Sequence, residues 1–261
     1  MGKPLNFTEE QILGQVASFI WPLMRISAMF VSVPLFSIRS VPARVRLILS
    51  VAITFVVMPL LPPLPAVEMF SYGGFMMAIQ QVMIGLTSGF IVQMVFAAVV
   101  FAGQGIALSM GLGFSTMVDP QNGQQVPTVA QLYTITTTLI FLSLGGHLLL
   151  IQMLLDSFKS LPIGMDGISK AGIWSILAWS SRMFAGGLLL SMPVITSLLL
   201  VNIIFGVAAR AAPQLQIFSV GFPVTLMLGM LLMWQTLPNM LDQFTGILTE
   251  AYDLIGQLLR L

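Results

Sequence analysis

Long apolar runs, separated by short polar or proline-rich breaks, dominate the hydrophobic pattern of this 261-residue chain. A helix needs about 20 apolar residues to cross the roughly 30 Å hydrocarbon core of a bilayer. Because backbone groups inside lipid must bond to one another, runs of that length are predicted to be helical. Six runs meet or approach it, near residues 12–36, 47–64, 74–109, 128–155, 172–209 and 214–237. The pattern therefore predicts an all-α, polytopic membrane protein of about six long helices or helical hairpins.

Two of these runs, 74–109 and 172–209, are longer than one perpendicular crossing requires. Glycines interrupt both, and Pro193 lies inside the second. Kinks, a steep tilt or re-entrant ends are the ordinary explanations. The alternative is that these helices are packed in a wall of protein. The spacing Gly85-x-x-x-Gly89 lets helix backbones approach closely, either in the core of the chain or at a subunit interface.

The composition supports a membrane environment. The chain is 57% hydrophobic and only 7% charged, whereas about a quarter of the residues in a soluble domain are charged. This is too little charge to cover a water-facing surface, so the chain belongs in lipid or in an apolar assembly. The sequence has no basic run that would bind nucleic acid and no cysteine that could form a disulfide or a thiolate metal site.

Charge is distributed unequally between the two sets of loops. The loops after the first, third and fifth runs carry four arginines against one carboxylate, Asp119, while the other loops and the termini carry four basic against eight acidic residues. A basic loop after the first run, with Arg39, Arg44 and Arg46, has the most weight in this comparison. We therefore expect the odd-numbered loops in the cytoplasm and both termini on the opposite side.

Enzymatic and metal chemistry lack the necessary residues. The chain has no H-E-x-x-H, no G-x-S-x-G and no P-loop motif, and its one histidine, His147, lies near the middle of the fourth run. A lone intramembrane histidine serves either as a proton relay or in packing, and here it has no carboxylate at helical spacing. We expect no catalytic residue, no metal site and no cofactor.

Two arginines lie inside apolar runs. A charged side chain at the centre of a membrane helix costs about 2.5–3.5 kcal/mol on insertion scales. Arg25 either pairs with carbonyl groups at a helix end or faces a partner subunit or a wet lumen. Arg182 is expected to extend its charge towards the membrane surface.

A soft, polar segment interrupts the chain between the third and fourth runs, with the sequence "MGLGFSTMVDPQNGQQVP" from Met110 to Pro127. Asp119 is the only charged residue between Glu68 and Asp156. An ordinary surface loop is the alternative interpretation, but such a loop carries more charge. The low charge therefore favours an enclosed site.

The last two runs predict a helical hairpin. Asn202, Gly206 and Arg210 are four residues apart and share one helix face. Pro213 then ends the first helix and Gln214 begins the next. We expect a tight hairpin with a basic tip and with polar residues facing its seam.

Three sequence motifs resemble one known family. "RAAPQLQIFSVGFP" in the hairpin, "RSVPARVR" after the first run and "GLGFSTMVDPQ" in the central segment are similar to those of the FliR family, the R subunits of flagellar type III secretion export gates. The resemblance covers essentially the whole chain. Virulence injectisome homologues share the Arg-x-x-Pro-Gln corner, whereas the continuation "VGFP" favours the flagellar branch.

The resemblance implies an architecture and partners. Residues 1–170 would form a P-like helical part that includes a plug loop at 106–122, and residues 171–261 a Q-like helical hairpin and C-terminal helix. The subunit would assemble with P and Q subunits (FliP and FliQ) into a helical, multi-subunit gate in the bacterial inner membrane, within the flagellar basal body. FlhB, FlhA, basal-body rod and ring proteins, membrane lipid and unfolded flagellar proteins in transit are the implied partners.

The resemblance also implies site residues. The lumen plug would consist of Met110, Gly111, Leu112, Gly113, Phe114 and Met117. Its anchor would be Asp119, Pro120 and Gln121. A cytoplasmic corner facing FlhB would include Asn202, Gly206, Arg210, Pro213, Gln214, Phe218, Gly221, Phe222 and Pro223.

The leading hypothesis is a non-enzymatic core subunit of a flagellar protein export channel, closed by a loop rich in glycine and methionine. The alternatives are a small-solute secondary transporter, a virulence injectisome homologue of the same subunit, and an assembly scaffold that does not line the pore.

Overall fold

A computed structural model describes residues 9–37, 41–62, 67, 70–113, 116–118, 125–211 and 217–261. Helices dominate this described part of the chain, as the sequence predicts, and a short two-stranded ribbon is added to them. The helices are α1 (Glu9–Ser32), α2 (Pro34–Ser37), α3 (Ala43–Val57), α4 (Tyr72–Ser109), α5 (Thr128–Ser143), α6 (Gly146–Ser160), α7 (Lys170–Ala211) and α8 (Ile217–Leu259). A 3₁₀ turn (Met58–Leu60) follows α3, and the ribbon consists of β1 (Thr116–Val118) and β2 (Gln125–Pro127).

Five helical segments in the described residues are long and apolar enough to cross a membrane, namely α1, α3 with the 3₁₀ turn that follows it, α4, α7 and α8. The consecutive helices α5 and α6 pass the same test together, which gives a sixth span if the pair is one broken crossing. The prediction of a polytopic membrane protein with about six apolar segments is confirmed.

The fourth predicted run, 128–155, is not one continuous helix. α5 ends at Ser143, and Gly145 has a φ angle of +68°, a left-handed conformation that glycine adopts without steric cost. The Gly145 N–H donates to the carbonyl of Leu142 at 3.1 Å, which closes the end of α5. The glycine pair in the middle of this run therefore marks a helix end.

The last run is longer than predicted. The sequence predicts a span that ends near residue 237, but α8 is 43 residues long and reaches Leu259, with Pro223 and Pro238 inside it. Pro193 likewise lies inside α7. A proline removes one intrahelical hydrogen bond and favours a kink, but in an apolar setting a continuing helix still satisfies the most backbone groups.

The chain divides into two compact units, each built from separate stretches. The first consists of Met1–Gln93, His147–Ile176 and Tyr252–Leu261, and the second of Met94–Gly146 and Leu177–Ala251. The predicted boundary at residue 170 separates a P-like part from a Q-like part, which is a different division from that into compact units. It stays a prediction.

In the first unit, α4 crosses α1 at its glycines. A Cβ atom on Gly85 would lie 2.1 Å from the backbone carbonyl oxygen of Arg25. A Cβ on Gly89 would collide with the side chain of Ser32. The Gly85-x-x-x-Gly89 spacing thus serves close packing inside this chain, the first of the two interpretations that the sequence allowed.

In the second unit, aromatic rings and further glycines form the core. Phe96 of α4 meets Phe141 of α5 and Phe244 of α8 edge to face, at centroid distances of 5.5 and 6.0 Å. A Cβ on Gly103 of α4 would lie 2.4 Å from the Cα atom of Ala130 in α5. The helices on either side of the central polar segment are therefore in direct backbone contact.

Candidate functional site

The predicted plug region begins with an ordered helix end. Gly111 has a φ angle of +79°, and its N–H donates to the carbonyl of Leu108 at 3.1 Å. The N–H of Leu112 donates to the carbonyl of Ala107 at 2.8 Å. This pair of bonds, with glycine in the left-handed position, is a Schellman motif that ends α4. The backbone freedom of Gly111 is used here for a fixed helix cap.

The base of the loop packs on α8. Met110 is only 1% exposed, and its side chain fills the space beside Gly229. A Cβ on Gly229 would lie 2.7–2.8 Å from the Cγ, Sδ and Cε atoms of Met110. At the next residue, a Cβ on Gly111 would approach the Phe222 ring of α8 to 3.3 Å.

Helix α7 contacts the same place. The side-chain amide of Asn202 donates to the carbonyl of Ser109, the last residue of α4, at 3.5 Å. This carbonyl is one of those that a helix end leaves without an intrahelical partner. Both helices of the C-terminal pair therefore contact the point where α4 gives way to the loop.

Beyond this base, the loop forms an antiparallel ribbon. Thr116 pairs with Pro127, Met117 with Val126 and Val118 with Gln125. Strand β2 leads directly into α5, whose N-cap is Pro127 with extended backbone angles. The segment between α4 and α5 is therefore ordered at both of its ends.

The predicted plug and anchor residues are only partly covered by the described chain. Leu112 and Gly113 are half-buried, and Met117 lies in β1. Phe114 of the plug lies outside the described residues, as do all three anchor residues, Asp119, Pro120 and Gln121. Their roles stay predictions.

The predicted corner differs from the expected hairpin seam. Asn202, Gly206 and Arg210 are all exposed, and a Cβ on Gly206 would meet nothing within 4 Å. The expectation that this face looks into a tight seam is therefore wrong. The i, i+4 spacing identifies a common face but not what the face is packed against.

The other corner residues are spread over the start of α8. Phe218 lies in its first turn, Gly221 is buried, and Phe222 and Pro223 are exposed. Pro213 and Gln214 lie outside the described residues. The structure thus brings Phe222 of the corner to Gly111 of the plug, a contact that the sequence alone did not indicate.

The basic loop lies at the start of α3. Arg44 is exposed, and Arg46 donates from Nη2 to the carbonyl of Val41 at 3.5 Å. Arg39 lies outside the described residues.

Arg25 is the most thoroughly buried charge of the described chain, with 0% exposure. Its Nε donates to Gln81 Oε1 at 2.8 Å, and Nη2 donates to the carbonyl of Leu161 at 2.9 Å. Nη1 donates to the hydroxyl and the carbonyl of Ser157, at 3.0 and 3.2 Å. The guanidinium also lies 4.3 Å from the ring centroid of Phe158. Of the two interpretations, pairing with carbonyls at a helix end is the one observed, because these carbonyls lie at the C-terminal end of α6, where a positive charge is favourable.

Arg182 also has a partner that the sequence did not indicate. Its Nε lies 3.4 Å from Glu250 Oε2, across α7 and α8. The two side chains are exposed and form an ion pair between α7 and α8. The expectation that the Arg182 charge extends towards the membrane surface did not include this partner.

His147 lies at the start of α6. Its ring is half-buried, and Nδ1 has no hydrogen-bond partner among the described residues. Within the same residues, no group of three or more His, Asp or Glu side chains is arranged to hold a metal ion.

The fold and this loop define a polytopic α-helical membrane protein with a structured segment between two closely packed helices. The family described as bacterial export proteins, family 1, matches residues 16–251. The chain belongs to this family.

Relatives from several bacteria support the same assignment. The chain is 39% identical to the flagellar biosynthetic protein FliR of Escherichia coli K12, over 98% of this chain and 97% of the relative. It is 38% identical to the protein of that name from Pectobacterium carotovorum, over the same shares. The Aquifex aeolicus protein of that name is 32% identical over 82% of this chain and 83% of its own length. The predicted resemblance to the FliR family is confirmed, and the chain is a bacterial export protein of the flagellar biosynthesis system.

Proposed function

We propose that this chain is a core subunit of the flagellar type III protein export gate and that its loop after α4 closes the lumen of the gate. The observation that carries the proposal is the loop itself. It is poor in charge, its first residue is buried, and helices α7 and α8 both contact its base. A loop with a fixed base and few charges is suited to obstructing an enclosed conduit.

The long helices support a place in a larger assembly. At 1.5 Å per residue, the 42 residues of α7 and the 43 residues of α8 extend for about 63 and 65 Å, twice the roughly 30 Å of a bilayer core. Large apolar side chains are exposed along most of α7, including Trp174, Leu177, Phe184, Leu188, Met192, Leu199, Ile203 and Val207. Lipid covers only part of such a length. We infer that other apolar subunits, FliP and FliQ, cover the remainder.

The proposed role is non-enzymatic. In this proposal the chain provides part of the channel wall and its closure, while the energy for export comes from an ATPase and the proton-motive force outside this subunit. The flagellar names of the relatives favour this role over a secondary transporter and over a virulence homologue.

The proposal also assigns a cellular position. The subunit would lie in the bacterial inner membrane within the flagellar basal body, with the corner at Arg210 on the cytoplasmic side facing FlhB. FlhA and basal-body rod or ring proteins would be further neighbours, and unfolded flagellar proteins would pass through the assembled gate. The exposed position of Arg210 at the end of α7 is suited to docking.

Deletion of residues 110–117 tests the proposal. In cells that assemble the gate, we expect the deletion to admit ions or small solutes across the membrane, measured as dye influx or loss of membrane potential. The deleted subunit must still co-purify with FliP and FliQ in mild detergent, which serves as the control. An assembled deletion variant whose membrane stays tight contradicts the plug.

A further inference from the structure

The contact between Met110 and Gly229 has an unusual shape. Three consecutive side-chain atoms of Met110, Cγ, Sδ and Cε, lie within 2.7–2.8 Å of the position that a Cβ on Gly229 would take. The contact therefore extends from Cγ to Cε of Met110 and fills the notch that glycine leaves on α8. Met110 is 1% exposed, and Gly229 is buried in α8.

The notch lies at the hinge point of the loop. Met110 directly precedes Gly111, the residue whose left-handed backbone ends α4. A displacement of the loop that begins at the end of α4 would withdraw the Met110 side chain from α8. Phe222, which belongs to α8 like Gly229, lies beside Gly111 and is itself exposed.

We propose that Met110 is a latch that holds the loop in its closed position by seating in the Gly229 notch of α8. This inference rests on the proposed plug function and adds to it the residue pair that keeps the plug shut. Methionine suits a reversible latch because its unbranched, flexible side chain leaves and re-enters a shaped apolar site easily. Glycine suits the receiving helix because any larger residue would fill the notch.

The sharpest test compares two glycines of one helix. Gly229→Ala places a Cβ in the notch and should expel Met110. Gly246→Ala makes the same chemical change on α8 at a position where a Cβ meets nothing within 4 Å, so it controls for helix propensity. In cells with the assembled gate, we expect Gly229→Ala to increase the leak of a small dye by about tenfold, the scale of overpacking a close contact. Gly246→Ala should leave the leak unchanged.

A second pair of variants protects the test against misfolding. Met110→Ala removes the latch without crowding the helix, and it should leak as Gly229→Ala does. In the double variant, the leak should not exceed that of Met110→Ala alone, because the new Cβ then has no side chain to expel. If Gly229→Ala fails to co-purify with FliP and FliQ, the Met110→Ala variant alone tests the latch: a leak supports it, and a tight membrane overturns it.

The outcomes separate the latch from the plug. A leak on deletion of residues 110–117 together with tight Gly229→Ala and Met110→Ala variants overturns the latch and leaves the plug intact. A tight deletion variant overturns both. Additive leaks in the double variant also overturn the latch, because they show that the two residues act independently.

Discussion

Replacement of Arg25 by methionine should destabilise the first unit strongly. Methionine is similar in length and uncharged, but it cannot donate hydrogen bonds to Gln81 Oε1, to Ser157 or to the Leu161 carbonyl. The guanidinium connects α1, α4 and the end of α6, and it is fully buried. The substitution therefore removes one side chain and leaves acceptors on two other segments without their donor.

The magnitude follows from those acceptors. A buried polar group that loses its partner costs about 1–3 kcal/mol. Ser157 is least affected, because its carbonyl also accepts from the Leu161 N–H at 2.8 Å. Gln81 Oε1 and the Leu161 carbonyl are affected most. Against these losses stands the relief from burying a charge, which can favour an apolar replacement by about 1–4 kcal/mol when all the polar partners are replaced together. Here the partners remain, so we expect a net loss of about 2–4 kcal/mol.

The assay is thermal unfolding of the detergent-solubilised protein, co-expressed with its proposed partners FliP and FliQ. A loss of this size should lower the midpoint by roughly 5–10 °C for a chain of this length. Arg44→Met is the matched control, because Arg44 is exposed and surface changes stay within about 0.5 kcal/mol. Adding Gln81→Leu to Arg25→Met should restore part of the loss, because the unpaired amide oxygen is then gone. If Arg25→Met unfolds at the same temperature as Arg44→Met, the reasoning is refuted.

Three further variants follow from the same geometry. Gly85→Ala should destabilise the chain by about 1–3 kcal/mol, because its Cβ would lie 2.1 Å from the Arg25 carbonyl oxygen. Gly14→Ala is the control in the same thermal assay and should be neutral, because a Cβ on Gly14 meets nothing within 4 Å. Gly145 has open space around it but a φ of +68°, so Gly145→Ala should lose about 1–2 kcal/mol of folding stability from backbone strain alone. Unchanged stability would argue against a fixed helix cap. Arg210→Glu should reduce swimming motility without changing thermal stability, because the side chain is exposed, and normal swimming would remove the corner from the functional residues.

The sequence predicts the spans of this protein well because length and hydropathy decide which segments enter a membrane. It predicts their ends less well. Gly145 ends a helix through a left-handed backbone that no apolar pattern records. The last apolar run ends near residue 237, just before Pro238, yet α8 continues through this proline, because the surrounding helix keeps nearly all of its hydrogen bonds.

The partners of the buried charges could not be predicted from the sequence for a different reason. Arg25 is 56 residues from Gln81 and 136 from Leu161. Arg182 pairs with Glu250 on another helix. Spacing along one helix identifies residues on a common face, but it carries no information about a neighbouring helix from a distant part of the chain. For the same reason, the spacing of Asn202, Gly206 and Arg210 does not reveal that their shared face is exposed rather than packed in a hairpin seam.

The loop and the corner were recognised as separate motifs, yet they meet in the second unit. Gly111 and Met110 of the first motif contact Phe222 and Gly229 of α8, and Asn202 of α7 reaches the last carbonyl of α4. Glu250, near the other end of α8, is paired to α7 through Arg182. A displacement of the α7–α8 pair at the corner would therefore act directly on the base of the loop, with no intervening element. For the proposed docking site at Arg210, this adjacency would provide a short mechanical route to Met110. Arg210→Glu combined with Met110→Ala should then reduce swimming motility no further than the more severe single change.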